Sequence, residues 1–337
     1  MACPAGPLKI LLIKTSSLGD VVHNLPVATA LRARFPEAQL DWVVEEAYTD
    51  IPRLHPAIAR VIPVALRRWR RHLFSAATWA EVAAFRRELR RVAYDLVLDT
   101  QGLIKSSLVG RQAQLSSGGL RVGYAASVAR EPLAALGYDR GVAIARSLHA
   151  VERNHRLAAA AGHYDPGGDI DYGIAAAPLT AGWLPAPPYA LLFTASSRDD
   201  KSWPSPAWRE LAAKLAAGGL SPVLPAGSAQ ERQRATALAS AMGPAARVAP
   251  RLGLAEMARL CAGARLVIGV DTGLTHLAAA LGRPTLCLFS GSDPVLTGVY
   301  GGSGAGQSVR NLGQRGSPPT SAEAAAVAAE LLAGKAA

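Results

Sequence analysis

The chain has 337 residues, more than one hydrophobic core comfortably organises, so two domains are the expectation. Half of the residues are hydrophobic, yet no run of about 18 apolar residues occurs, so no membrane-spanning helix is expected. The cysteines Cys3, Cys261 and Cys287 lack CxxC spacing, which argues against a disulfide framework and for a reducing compartment. A net charge of +11 (36 basic and 25 acidic residues) directs attention to nucleic acid, anionic lipid or a phosphorylated substrate. The opening MACPAGPLKI is too short before the first apolar run to be a signal peptide, so a cytoplasmic chain is expected.

In chain order, strands are predicted at 9–13, 40–44, 60–64, 96–99 and 121–123. Helical spacing of apolar residues lies between them, over 21–35, 48–51, 76–91 and 106–113, with a further helix at 149–161. This alternation is the pattern of βαβ units on a parallel sheet. Around 176–188 (AAPLTAGWLPAPP) proline and alanine crowd together without charge, which reads as a linker. The rhythm then restarts. Strands are predicted at 189–193, 221–225, 246–248, 266–270 and 284–288, and helices at 206–217, 229–242, 254–262, 275–281 and 321–333. The glycine-rich stretch 301–316 reads as an irregular loop. Residues 1–175 and 189–337 are thus expected to form two α/β domains, with the final helix a candidate to pack back on the first.

The stretch Lys14-Thr15-Ser16-Ser17-Leu18-Gly19-Asp20 joins the first strand to the first helix. It delivers a carboxylate, Asp20, to the carboxyl end of a parallel sheet, where open α/β sheets bind ligands. A carboxylate beside hydroxyls suits proton abstraction from an alcohol. His23 shares the helix face of Asp20 and lines the same crevice, or else is a core histidine.

In the second half, Asp271-Thr272-Gly273-Leu274-Thr275-His276 ends a strand and opens a helix, the standard place for a phosphate. Gly273 permits close approach, and His276 faces this turn; a plain helix cap is the competing reading. Ser196-Ser197-Arg198-Asp199-Asp200-Lys201 follows the first strand of this half, and its hydroxyls and cations suit a diphosphate. Glu231, in a third strand-to-helix turn, accepts from a ribose diol or serves as a first-turn acid.

Arg67–Arg91 holds eight arginines against Glu81 and Glu88. Arg67, Arg70 and Arg71, placed with Trp69 in a loop, are candidates for gripping a polyanion or a membrane surface, whereas Arg86–Arg91 reads as a solvated helix face. No GxGxxG, Walker A loop or HExxH occurs, so dinucleotide, P-loop and zinc chemistry lose support.

The segments KTSSLGDVVHNLP (14–26), DWVVEEAY (41–48), RVIPVALRRWR (60–70), FRRELR (85–90), YDLVLDTQGLIKSSL (94–108), AREPLA (129–134), HAVERN (149–154), SSRDDKSWP (196–204) and GVDTGLTHLAAALGRP (269–284) together resemble the ADP-heptose:lipopolysaccharide heptosyltransferases of glycosyltransferase family 9. The KTSSLGD opening resembles members that add the first heptose rather than the second. Where relatives often carry Thr-Thr before RDDK, Ser196-Ser197 keep the hydroxyls.

The resemblance implies a GT-B fold, with two Rossmann-like domains facing across a central cleft. It implies inverting transfer of L-glycero-D-manno-heptose from ADP-heptose, held by the second domain, to a Kdo hydroxyl of Kdo2-lipid A, held by the first. By the same resemblance Asp20 is the general base. Lys201, Ser196 and Ser197, with the backbone of Thr272 and Gly273, stabilise the departing ADP. Asp271 holds the heptose, Glu231 the ribose, and His276 contacts the donor. Ser17, Gly19, His23, Arg67, Arg70, Arg71 and Arg130 belong to the acceptor side. No metal and no cofactor are expected, and nucleic acid is not an expected partner. A monomer peripheral to the cytoplasmic face of the inner membrane is. The alternatives are the second-heptose enzyme or another GT-B nucleotide-sugar enzyme. From a different class comes a basic module for nucleic acid or membrane, which leaves the hydroxyl, lysine and DTG segments unexplained.

Overall fold

Apolar runs without polar alternation become strands buried on both faces, and such strands pair in parallel. The computed structural model describes residues 6–168, 170–196, 198–302 and 308–334, without the side chain of Asp199. In it β1 (Lys9–Ile13), β2 (Gln39–Glu45), β3 (Ile58–Val64), β4 (Ala93–Asp99), β5 (Gln114–Tyr124) and β6 (Arg140–Val142) form one parallel sheet in the order β3-β2-β1-β4-β5-β6. A second parallel sheet contains β7 (Tyr189–Phe193), β8 (Ser221–Leu224), β9 (Arg247–Val248), β10 (Leu266–Val270), β11 (Thr285–Phe289) and β12 (Val309–Gly313), ordered β12-β11-β10-β7-β8-β9.

Counted from its own first strand, each sheet has the doubly wound order 3-2-1-4-5-6. The direction of sheet growth therefore reverses between β1 and β4, and again between β7 and β10. At such a reversal the loops leaving the carboxyl ends of two adjacent strands diverge to opposite faces and leave a crevice. The chain divides into two compact units, Met1–Gly173 and Ile174–Ala337.

In the first unit the strands alternate with α1 (Leu18–Val22), α2 (Leu25–Arg34), α3 (Asp50–Arg53), α4 (Leu66–Trp69), α5 (Ala76–Leu89), α6 (Ile104–Gln112) and α7 (Ala150–Gly162). The single periodicity read over 21–35 is interrupted before α2. Pro26, at the second position of α2, lacks an N–H, and its ring collides with the carbonyl four residues back. Trp69 and Phe85, edge-on with centroids 5.7 Å apart, bring α4 and α5 together in the core beside Leu11, Ile13 and Val97.

The second unit carries α8 (Ser205–Ala217), α9 (Ala229–Met242), α10 (Leu254–Gly263), α11 (Gly273–Ala280), α12 (Pro294–Thr297) and α13 (Ser321–Leu332). Its core places Leu192, Ile268 and Leu288 of the central strands against Trp208 and Leu211 of α8.

Three expectations are corrected. The stretch 301–316 is not wholly irregular: residues 303–307 lie outside the described residues, but 309–313 form β12. Gly313 ends that strand at φ +85°, where a Cβ would lie 2.4 Å from the Phe289 carbonyl oxygen. The linker 176–188 is not a free tether. Leu179 N–H donates to the Arg259 carbonyl at 3.0 Å, and Leu179, Trp183 and Leu184 pack on the core of the second unit. The final helix, a candidate to pack back on the first domain, buries Ala324, Ala328 and Leu331 in the second unit's own core.

Among the described residues no helix is long and apolar enough to cross a membrane.

Candidate active site

In the first unit the reversal point is built by the loop after β1 and the loop after β4. Asp20 is the third residue of α1, and its Oδ2 accepts from the Ser17 N–H at 2.8 Å and the Ser17 hydroxyl at 3.0 Å. The carboxylate thus turns back over its own helix start, half-buried, while Ser17 is exposed and Gly19 half-buried.

Beneath it the loop is clamped. Gln101 Oε1 accepts from the Thr15 N–H at 3.1 Å and the Ser16 N–H at 3.2 Å. Asp99 Oδ1 accepts from the backbone N–H groups of Gln101 and Gly102, and Asp99 Oδ2 accepts from the Tyr138 hydroxyl at 2.7 Å. Burial drives the Asp99 carboxyl upward, and these hydrogen bonds oppose it.

Lys14 is buried and donates to the Thr100 carbonyl at 2.8 Å. Burial lowers its ammonium below the ordinary lysine value, the charges of Asp20 and Asp99 pull it back up, and Arg153 and Arg130 add to the lowering. Arg130, exposed, is thereby placed within electrostatic reach of the same loop. Lys105, to which the sequence reading gave no role, donates from Nζ to Ser16 Oγ at 3.2 Å.

His23 is 3% exposed and meets the His149 ring edge-on at 5.4 Å, so the core-histidine reading describes its surroundings.

The arginine cluster sorts itself by partner. Arg68 is bound to Glu46 and Glu81. Arg67 donates its backbone N–H to Glu45 and its guanidinium to the Tyr48 hydroxyl, lying over that ring. Among the described residues Arg70 and Arg71 meet no carboxylate. The segment expected as a loop is the helical turn α4, because Trp69 is pulled into the core with its indole N–H on Glu81.

In the second unit the reversal point joins the loop after β7 to the start of α11. Lys201 Nζ lies 2.6 Å from Asp271 Oδ2. His276 Nε2, one turn into α11, is 3.4 Å from Asp271 Oδ1, and the Ser292 hydroxyl donates to Asp271 Oδ2. Burial favours the neutral Asp271 carboxyl, but His276, Lys201 and Ser292 outweigh it and hold the group well below the usual carboxylate range. Asp271 is therefore a fixed anion at physiological pH.

Ser196 Oγ donates to the Asp271 carbonyl at 3.0 Å, tying the two loops a second time. Ser197 lies outside the described residues. Arg198 and Asp200 pair with each other, which leaves Lys201 to Asp271.

Thr272 caps α11 in extended conformation with no side-chain cap bond, and the Thr275 N–H is the first of the helix to return to the Thr272 carbonyl, so Gly273 and Leu274 stand at a helix start of the kind that suits an anion. Gly269 lets the strand close on this helix, since a Cβ there would lie 2.2 Å from Thr275 Oγ1. Glu231 accepts from the Gly227 and Ser228 N–H groups at 2.8 and 3.0 Å, a capping box that realises its first-turn-acid reading.

Among the described residues no three His, Cys, Asp or Glu side chains converge to hold a metal ion.

Gln101, Lys105 and Ser292 escaped the sequence reading. Gln101 and Lys105 sit inside the quoted YDLVLDTQGLIKSSL segment. Ser292 follows β11, the strand next to β10, and strand adjacency is invisible in sequence.

Two doubly wound units, each with a polar constellation at its reversal point and one with a cation-clamped helix start, have the anatomy of a GT-B glycosyltransferase. The glycosyltransferase family 9 (heptosyltransferase) profile matches residues 82–320. The chain belongs to that family. It is 47% identical over 296 residues to lipopolysaccharide heptosyltransferase 1 of Salmonella typhimurium, covering 87% of this chain and 92% of that protein. The structure of the E. coli heptosyltransferase WaaC with ADP superposes with a TM-score of 0.86 at 42% identity, covering 96% of this chain and all of that one. The same enzyme with ADP-2-deoxy-2-fluoro heptose gives 0.80 at 41% identity, covering 92% and 94%.

Proposed function

We propose that this enzyme transfers L-glycero-D-manno-heptose from ADP-heptose to a Kdo hydroxyl of Kdo2-lipid A, the first heptose addition of the lipopolysaccharide inner core, with inversion at the anomeric carbon. The observation that carries the reading is the Lys201–Asp271 pair at the head of α11. A leaving diphosphate needs a cation and backbone donors where its charge develops, and Lys201 with the amides at Thr272 and Gly273 supplies them. Asp271, kept ionised, accepts from sugar hydroxyls and orients the donor, with His276 holding its other oxygen. Ser196 and Ser197 offer hydroxyls to the diphosphate, and Glu231 keeps a carboxylate near the ribose.

Inversion in one displacement requires a base for the incoming hydroxyl and no covalent intermediate. Asp20 takes that proton, on a loop held rigid by Gln101. As it does so the Kdo oxygen forms a bond to C1 from the opposite face, the C1–O bond to the diphosphate breaks, and ADP leaves with the bond electrons. Ser17 and Gly19 border the base, while Arg67, Arg70, Arg71 and Arg130 supply positive charge for the phosphates and Kdo carboxylates of the acceptor. His23 supports the same helix from the core side. The charge balance is met by protein cations, so the reaction proceeds without a metal. The enzyme works as a monomer at the cytoplasmic surface of the inner membrane, where the acceptor is anchored.

Incubation with ADP-heptose and Kdo2-lipid A, with and without EDTA, tests this. The expected result is a singly heptosylated lipid in equal yield under both conditions. Transfer only to an already heptosylated core overturns the first-heptose assignment, and loss of yield with EDTA overturns the metal-free mechanism.

A further inference from the structure

Nine large apolar side chains are well exposed among the described residues, and seven of them lie on three adjoining pieces of the first unit. Leu73, Phe74 and Trp79 sit on the segment entering α5, with Phe74 wholly exposed. Ile104 and Leu108 project from α6, and Leu133 and Leu136 from the turn Pro132–Gly137, at 65% and 77% exposure. These pieces are contiguous. Leu73 and Trp79 line one side and Leu108 the other of a groove of about 690 Å³. The turn is bound to α6 by Ser107 Oγ on the Ala134 carbonyl and by Arg111 on the Leu136 carbonyl.

Charge completes the picture. The charged residues of the groove are Arg67, Arg70, Arg86 and Lys105, and no carboxylate lines it. Aliphatic and aromatic tips flanked by long cationic side chains satisfy a layer that is apolar within and anionic at its rim.

We propose that this face seats the enzyme on an anionic bilayer. Phe74, Leu133 and Leu136 enter the headgroup–acyl boundary, and Arg86 and Lys105, the groove cations not assigned to the acceptor, meet lipid phosphates. The inference rests on the lipid-anchored acceptor of the proposed function, and it gives seating a catalytic consequence. Lys105, at the edge of the groove, also touches Ser16 in the Asp20 loop, so a sugar standing at headgroup level arrives beside the base.

The test is flotation with vesicles of phosphatidylethanolamine and phosphatidylglycerol that contain no acceptor, comparing the full chain with the double variant Phe74→Asp/Leu136→Asp. Both positions are exposed, and an unchanged melting temperature verifies the fold. The variant is expected to bind about tenfold or more weakly. Its rate on a water-soluble, deacylated Kdo acceptor is expected to equal that of the parent. Equal vesicle binding by parent and variant overturns the proposal. So does parent binding that appears only when acceptor lipid is present, which would make the groove an acyl-chain pocket. Self-association of the parent that the variant abolishes, with vesicle binding unaltered, would assign the face to a second copy of the chain. Variant-sensitive vesicle binding without heptose transfer to either acceptor would leave docking standing and remove the proposed activity.

Discussion

Lys201 Nζ and Asp271 Oδ2 stand 2.6 Å apart although 70 residues separate them in the chain. β7 and β10 are hydrogen-bonded neighbours in the sheet, so the loops that leave them are forced together. The pair is mostly buried, 18% and 9% exposed at the side chains, and Asp271 also receives Ser292 and His276. A cation held so close to a carboxylate is fixed in place, so under the proposed function it would lose little entropy on meeting a diphosphate.

Replacing Lys201 by Met should therefore act twice. ADP-heptose affinity and kcat should both fall, and the loss of a partner for the buried Asp271 should lower folding stability by about 1–3 kcal/mol. Titration calorimetry with the donor and thermal melting in the same buffer check this. A variant with parental donor affinity would separate Lys201 from the diphosphate.

Asp20→Asn keeps the size of the side chain and removes the proposed base. Turnover should drop by about 10²–10⁴-fold while donor affinity is retained, because Asp20 belongs to the first unit and the donor groups to the second. Folding stability should fall by only about 0.3–1 kcal/mol, the worth of a first-turn carboxylate. Near-parental kcat would dismiss Asp20 as the base.

Gln101 touches no proposed substrate atom, yet its Oε1 satisfies two buried amides of the Asp20 loop. Gln101→Leu leaves both N–H groups without that acceptor, at about 1–3 kcal/mol each, and lets the loop drift. The expected outcome is a lower kcat with unchanged donor KM, and recovery in Gln101→Glu, which keeps an acceptor oxygen. A Glu variant as impaired as the Leu variant would argue for simple misfolding over positioning.

His55 reports on the pH dependence of the first unit. Its Nδ1 accepts from the Ala57 N–H at 3.1 Å, so the proton sits on Nε2 and is donated to Thr29 Oγ1 at 2.9 Å. Burial disfavours the charged ring and pushes its pKa down to about 4, with Asp171 pulling slightly upward and Arg32 adding to the depression. The unfolded ring titrates near about 6.5. Between those values the unfolded chain binds the extra proton, so stability is full above the upper value and lost as pH falls toward the lower one. A loss on the order of 2–3 kcal/mol is expected across that window. Urea unfolding at several pH values checks it, with His55→Gln expected to flatten the slope; identical slopes would exclude His55.

Some of this architecture was legible in the chain. β1, β7 and β10 were readable to the residue, because a parallel strand buried on both faces is an uninterrupted apolar run. β6 and β12 were not, since short, half-exposed edge strands bury too little to impose a pattern. Asp20, Lys201, Asp271 and Thr272 were legible as polar residues at strand ends, where periodicity changes from strand to helix.

The sequence by itself determined two α/β halves, the turns that carry the reactive groups, and the family resemblance of their motifs. Only the tertiary structure decided which of those groups meet. Strand order, set by the handedness of the crossovers rather than by any local pattern, brought Lys201 to Asp271, Gln101 under the Asp20 loop and Ser292 onto the same carboxylate. It likewise brought Leu73, Trp79 and Leu108 around one groove, since exposure belongs to the packed chain and is written in no single residue.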